Sequence, residues 1–268
     1  GVEEHRLVGG KGDGMRLFEV RNGLGLEYTV SADRCADISR LSYKGVNCVY
    51  FAPCGYAAPS YYEKDGLSFL KTFTAGFLTT CGLTAAGSPC TDDGEELPLH
   101  GSISHQPAEN IYSYCNDKSV VVKAIVNEAR LFGHKLKLVR EISCSTEENL
   151  FTITDTVENY GDTISPLMLL YHINVGYPLL SENAVLNIPS YKVTPRNERA
   201  AEDLDAWNKV LPPTPGFVEQ CYYHEFKDEG KAAIYNPDLG FGLTVSFDPS
   251  EFDYFTQWKM MGYRDYVI

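Results

Sequence analysis

The sequence predicts an all-β protein, a large antiparallel β-sandwich, on three observations. The first is a two-residue period. In 134–144, Leu136, Leu138, Ile142 and Cys144 share one parity, and Lys135, Lys137, Glu141 and Ser143 share the other. Successive side chains of a strand point to opposite faces, so this is a half-buried strand. The second is the close spacing of turn-forming clusters, such as Ser145-Thr146-Glu147-Glu148-Asn149 and Glu158-Asn159-Tyr160-Gly161-Asp162. The third is the lack of a long amphipathic helical pattern. The best short candidate, 198–209, is bracketed by Pro195, Pro212, Pro213 and Pro215.

In chain order, the Gly-rich run 9–14 lacks the Gly-Lys-Ser/Thr ending of a phosphate loop and is expected to be an ordinary loop. Short strands are expected at 15–22, 24–30 and 38–43. Residues 119–173 read as a meander of about four strands, in which Phe151, Ile153 and Val157 alternate with Thr152, Thr154 and Thr156. Two more strands are expected at 232–235 and 242–247. No repeat or shift in composition marks a boundary, so a single domain over 1–268 is expected.

The chain has 268 residues, 44% of them hydrophobic, enough for a substantial core. A net charge of −13 argues against nucleic acid or an anionic membrane as partner. No run of about 18 apolar residues suggests a membrane span, and no signal-peptide pattern is visible. The eight cysteines include no Cys-x-x-Cys, and several lie in apolar runs. Buried free thiols in a reducing, cytoplasmic setting are therefore expected.

Two histidines stand out. His100 lies in Leu97-Pro98-Leu99-His100-Gly101, after an acidic turn, and His172 ends an apolar strand in Leu169-Leu170-Tyr171-His172-Ile173-Asn174. Imidazole is the side chain best suited to proton transfer near neutral pH. Asn174, two residues beyond His172, is expected on the same face, where its amide can bind hydroxyls. His224, in a Tyr-rich segment, is a third candidate, open equally to a core role. His5 and His134 look like surface residues. Three histidines could form a metal site, but no His-x-His or His-Glu-x-x-His occurs, so metal is the minority reading and none is assigned. No Gly-x-Ser-x-Gly marks a serine nucleophile. Arg34, between Asp33 and Asp37, either ion-pairs with them or offers a fork to a substrate. Gln257 and Trp258 offer an amide and an indole, a combination suited to sugars, although core packing also explains a tryptophan.

The segments Pro-Leu-His100-Gly, Tyr-His172-Ile-Asn174-Val-Gly-Tyr-Pro and Phe-Thr-Gln257-Trp258-Lys together resemble the aldose 1-epimerase (galactose mutarotase-like) superfamily, in its branch of unknown function. The likeness extends to Asp33-Arg34-Cys-Ala-Asp37-Ile and Thr79-Thr80-Cys81-Gly82-Leu83. It implies a galactose mutarotase-like supersandwich that opens and recloses a pyranose ring by acid–base chemistry, with no cofactor and a small carbohydrate as partner. His172 then matches the general acid, and His100 the histidine that holds the sugar near its ring oxygen. Arg34, Asn174, His224, Gln257 and Trp258 fall to substrate binding. Two departures accompany the likeness. Leu83-Thr84-Ala85-Ala86-Gly87 stands where the family has an Asn-Arg pair. The general-base glutamate is expected in a Gly-Leu-Glu-Pro-like segment beyond Ile268, as for a chain truncated at its C-terminus. A carbohydrate-binding protein without turnover, or a sugar isomerase or lyase on the same fold, are the alternatives.

Overall fold

The computed structural model describes residues 1–268. Its strands, in chain order, are β1 (Val2–Arg6), β2 (Arg16–Arg21), β3 (Leu26–Ser31), β4 (Asp37–Tyr43), β5 (Val46–Asn47), β6 (Leu78–Leu83), β7 (Cys90–Asp92), β8 (Glu95–Leu97), β9 (Asn110–Cys115) and β10 (Ser119–Ala129). There follow β11 (Lys135–Ser145), β12 (Phe151–Asn159), β13 (Met168–Ile173), β14 (Val185–Asn187), β15 (Lys192–Pro195), β16 (Gln220–Glu225), β17 (Gly230–Asn236), β18 (Phe241–Phe247), β19 (Phe255–Met261) and β20 (Tyr266–Val267). Every pairing between them is antiparallel, as the alternating sequence pattern requires. The one α-helix, α1 (Glu198–Ala201), is a single turn capped by the Asn197 side chain, which accepts from the Ala200 N–H. The helical candidate at 198–209 thus shrinks to that turn and a 3-10 turn at Leu204–Ala206.

The chain divides into two compact units, one of Gly1–Gly45 with Phe51–Ile173, the other of Val46–Tyr50 with Asn174–Ile268. The first unit holds the β1-β2-β3-β4 meander, the β9-β10-β11-β12 meander and the β6–β13 pair. Within it the pair Val122↔Ile142 and its neighbours Ala124↔Arg140, Val126↔Leu138 and Glu128↔Leu136 set the buried row of β10 and β11. Two charges, Glu128 and Arg140, therefore point inward among aliphatic side chains, 6% and 0% exposed.

Arg140 lies between two carboxylates. Its Nη1 donates to Asp37 Oδ1 at 2.7 Å, and its Nε and Nη2 donate to the two oxygens of Asp155 at 2.9 and 2.7 Å. Nη2 also donates to Thr80 Oγ1 at 2.8 Å, and the Tyr171 hydroxyl donates to Asp155. One guanidinium thus ties β4, β6, β11, β12 and β13 together. Burial pushes the Asp37 carboxyl up from its ordinary range, while Arg140 and Thr80 act in the opposite direction.

In the second unit, β14-β17-β18 form one sheet and β15-β16-β19-β20 another. The buried face of β16 and β19 is unusually polar, with Gln220, Tyr222, His224, Gln257 and Lys259 all below 5% exposure. The short helical turns around 199–207 explain this. Gln220 Nε2 donates to Arg199 O, Tyr222 OH to Asp203 O, Lys259 Nζ to Ala206 O and Gln257 Nε2 to Trp207 O. Short helical turns leave last-turn carbonyls without full intrahelical pairing, and the sheet side chains donate to them.

Candidate functional site

The two leading histidines do meet. Thr79 faces His172 across the β6–β13 ladder, and Thr80 faces Tyr171. Alternation sends the Tyr171 ring toward Arg140 and the His172 ring to the opposite side of the strand. There the His172 ring lies edge-on to His100, with centroids 5.4 Å apart and planes at 88°. Phe73 lies 5.2 Å from His172, and Phe69 lies 5.5 Å from His100. Both histidines are half-buried, and each packs against an aromatic ring.

The backbone around His100 is built for close approach. Gly101 forms an isolated bridge with Gly82 of β6, and a Cβ at Gly101 would lie 2.1 Å from Gly82 O. Only glycine fits that contact. His100 itself has φ 58°, a left-handed conformation that costs a non-glycine residue energy and is concentrated at functional sites. The segment is held by reciprocal bonds: His100 N donates to Gly87 O at 2.8 Å, and Gly87 N donates to His100 Nδ1 at 3.3 Å. Because Nδ1 accepts an N–H, the neutral ring carries its proton on Nε2. Burial pushes the His100 imidazole below its ordinary value of 6.5.

Glu128 is a residue the motif reading passed over. It accepts from Leu83 N at 3.3 Å, Thr84 Oγ1 at 3.3 Å and Ser102 Oγ at 3.4 Å. These donors lie in the two segments that flank the Gly82–Gly101 bridge, so Glu128 clamps them together. His134 Nε2 lies 3.5 Å from the same carboxylate and is half-buried, not a surface residue. Burial raises the Glu128 carboxyl above its ordinary range. The available signal was parity: Glu128 falls in step with Val120, Val122, Ala124 and Val126.

Arg34 faces inward instead of toward a ligand. Its Nε donates to Ser104 O at 2.6 Å, Nη1 to Ala57 O at 3.0 Å and Nη2 to Thr72 O at 3.0 Å. Its Nη2 also lies 3.0 Å from His105 Nε2. The flanking carboxylates go elsewhere, Asp33 to Arg16 and Asp37 to Arg140. The guanidinium is 5% exposed and supports the floor beneath Tyr62 and Phe69, which pack on His105 at 4.1 and 5.3 Å. Burial, then the charge of Arg34, holds His105 down at about 2, so it is neutral.

The remaining candidates lie in the second unit and differ from expectation. Asn174 follows the last residue of β13 and is 0% exposed, so it does not continue the strand's half-exposed face. His224 uses both ring nitrogens internally, Nδ1 with Ser190 Oγ at 2.9 Å and Nε2 with Gln257 Oε1 at 3.1 Å. Gln257 spends its amide N–H on Trp207 O. Gln257 and Trp258 do not present together, because neighbours in a strand point to opposite faces. Trp258 instead donates from Nε1 to Glu219 Oε2 at 2.6 Å.

Residues 12–268 match the family described as Domain of unknown function (DUF4432). None of the curated proteins matches the sequence. Among solved structures, a candidate aldose 1-epimerase from Klebsiella pneumoniae subsp. pneumoniae MGH 78578 superposes with TM-score 0.91 at 24% identity, covering 99% of this chain and 72% of its own. The Slr1438 protein of Synechocystis sp. PCC 6803 gives TM-score 0.68 at 13% identity, over 98% of this chain and 87% of its own. A galactose 1-epimerase from Lactobacillus acidophilus NCFM gives TM-score 0.53 at 15% identity, over 74% and 60%. At these identities the likeness is one of fold, and the fold is the mutarotase-like β-sandwich that the sequence motifs imply.

Proposed function

The chain belongs to the DUF4432 family, and from that membership and its fold we propose that it is an aldose 1-epimerase-like isomerase acting on the anomeric centre of a sugar. The observation that carries the reading is the perpendicular His100–His172 pair, 5.4 Å between centroids, half-exposed against an aromatic wall. Mutarotation needs an acid at the ring oxygen as the C1–O5 bond opens and a base at the anomeric hydroxyl. His172 is the acid in this reading. His100, neutral and protonated on Nε2, donates a hydrogen bond that holds the ring oxygen and polarises it. Phe69 and Phe73 keep the pair partly dry, which strengthens both interactions. The base belongs, by the mutarotase pattern, to a glutamate in a Gly-Leu-Glu-Pro-like segment.

The proposal is tested by α-to-β anomer exchange, followed by NMR with a panel of aldohexoses and aldopentoses. His172→Ala is expected to lower the enzymatic rate by about 100-fold or more, the usual contribution of a positioned acid. An unchanged rate in that variant rejects the acid role.

A further inference from the structure

His100 and His172 keep their spacing through β6. His172 stands opposite Thr79 of that strand. The His100 segment joins it near the other end, where Gly82 N donates to His100 O at 3.1 Å and Ser102 N donates to Gly82 O at 3.2 Å. This join is an isolated bridge outside any ladder, and it carries two successive left-handed residues, His100 at φ 58° and Gly101 at φ 70°. A ring used in proton transfer must be held more tightly than one bridge allows, since about 1 Å of misplacement can cost about 100-fold in rate.

Glu128 of β10 supplies the further support. Its Oε2 accepts from Leu83 N at 3.3 Å and from Ser102 Oγ at 3.4 Å. Leu83 and Ser102 are the residues that follow the two bridged glycines. One oxygen therefore ties the two segments together right beside the bridge. The other, Oε1, accepts from Thr84 Oγ1 at 3.3 Å. A carboxylate can accept on both oxygens at once, which no other side chain of this length does.

Packing does not call for a carboxylate at this position. Glu128 continues the row of Val120, Val122, Ala124 and Val126 and stands opposite Leu136. It is 6% exposed, and its one ion-pair partner is His134, at 3.5 Å. Burial, then the Arg130 charge, holds that imidazole below its ordinary value. Arg140, the other inward charge of β10 and β11, is met by two carboxylates. A buried carboxylate with long bonds to neutral donors costs stability that an aliphatic side chain does not. Such departures from local packing rules concentrate at functional sites.

We propose that Glu128 is the positioning residue of the histidine pair: through Leu83 and Ser102 it holds the His100 segment on β6 and so sets His100 against His172. The proposal rests on the reading of that pair as acid–base machinery. Glu128 is too deeply buried to touch a sugar and acts only through His100.

The experiment compares three variants with wild type. Glu128→Leu fills the same place without an acceptor, Glu128→Gln keeps the length and one acceptor oxygen, and Ser102→Ala removes one donor at a half-buried position. Three quantities are read: kcat and KM for anomer exchange, the urea midpoint, and the titration of the His100 imidazole by NMR. Glu128→Leu is expected to lower kcat by about tenfold or more with KM little changed. Its urea midpoint is expected to stay at or above that of wild type. Glu128→Gln should recover most of kcat, and Ser102→Ala should fall between the two.

The His100 pKa, held below 6.5 by burial, is expected to rise toward 6.5 in Glu128→Leu and Ser102→Ala as the segment loosens and water reaches the ring. The direction is diagnostic, because loss of a nearby negative charge by itself lowers a histidine pKa. A His100 pKa that stays put or falls in both variants overturns the proposal, and a fall in urea midpoint alongside it marks Glu128 as structural. If Glu128→Leu does not fold, Ser102→Ala decides by the same titration. If wild type exchanges no anomers, the isomerase reading fails by itself, and the His100 titration still upholds or overturns the hold of Glu128 on that segment.

Discussion

His100 combines a left-handed backbone, a tautomer fixed by the Gly87 N–H and a pKa lowered by burial. The ring works in its neutral form in the proposed mechanism. Its folded pKa lies below 6.5, so the acid limb of kcat/KM for anomer exchange is expected below pH 6.5. A limb at or above that value, still present in a variant that keeps other histidines, counts against the assignment. His105 makes a second pH prediction, on stability. Between about 2 and 6.5 the unfolded chain takes a proton that the folded ring refuses. Stability therefore falls as pH drops below 6.5, by up to about 1.4 kcal/mol per pH unit from this residue. Urea unfolding over a pH series should show a shallower slope in His105→Gln than in wild type, and parallel slopes would refute it.

At the scale of elements, β11 shows how a strand that reads as amphipathic carries more than an apolar face. The alternation of Leu136, Leu138, Ile142 and Cys144 was legible in the sequence, and Arg140 has their parity. Its consequence was not legible, because Asp37, Asp155 and Tyr171 come from three other strands. Removing one member of a buried ion network leaves charges unpaired in a low dielectric. Arg140→Met is expected to cost about 3–5 kcal/mol in urea unfolding, with Asp37 and Asp155 stranded. A loss below about 1 kcal/mol would show the network to be dispensable. The same limit applies to β16 and β19. Gln257 has the residue type of a ligand contact, yet its amide N–H, like the Gln220, Tyr222 and Lys259 side chains, donates to backbone carbonyls of 199–207.

For the whole molecule, the free thiols offer a direct check. Cys90 and Cys115 are exposed, Cys54 is half-buried, and Cys35, Cys48, Cys81, Cys144 and Cys221 are buried. Titration with a thiol reagent is expected to modify Cys90 and Cys115 rapidly in the native state, and the buried five only on unfolding. Fast native modification of Cys35 or Cys81, identified by peptide mass, would contradict the packing around Asp37 and Thr80. No helix is long and apolar enough to cross a membrane.

The sequence alone determined the antiparallel β class and the strands within 15–43, 119–173 and 232–247, because alternation and turn chemistry are local properties. It did not separate ligand-facing from inward-facing polar residues. Arg34, His224 and Gln257 have the residue types of a sugar site, but whether a guanidinium or amide meets solvent depends on which distant carbonyl lies within 3 Å or so. The tertiary structure decided that. It placed Ser104, Ala57 and Thr72 around Arg34, set Trp207 O against the Gln257 amide, and brought the His100 and His172 rings edge-on to one another.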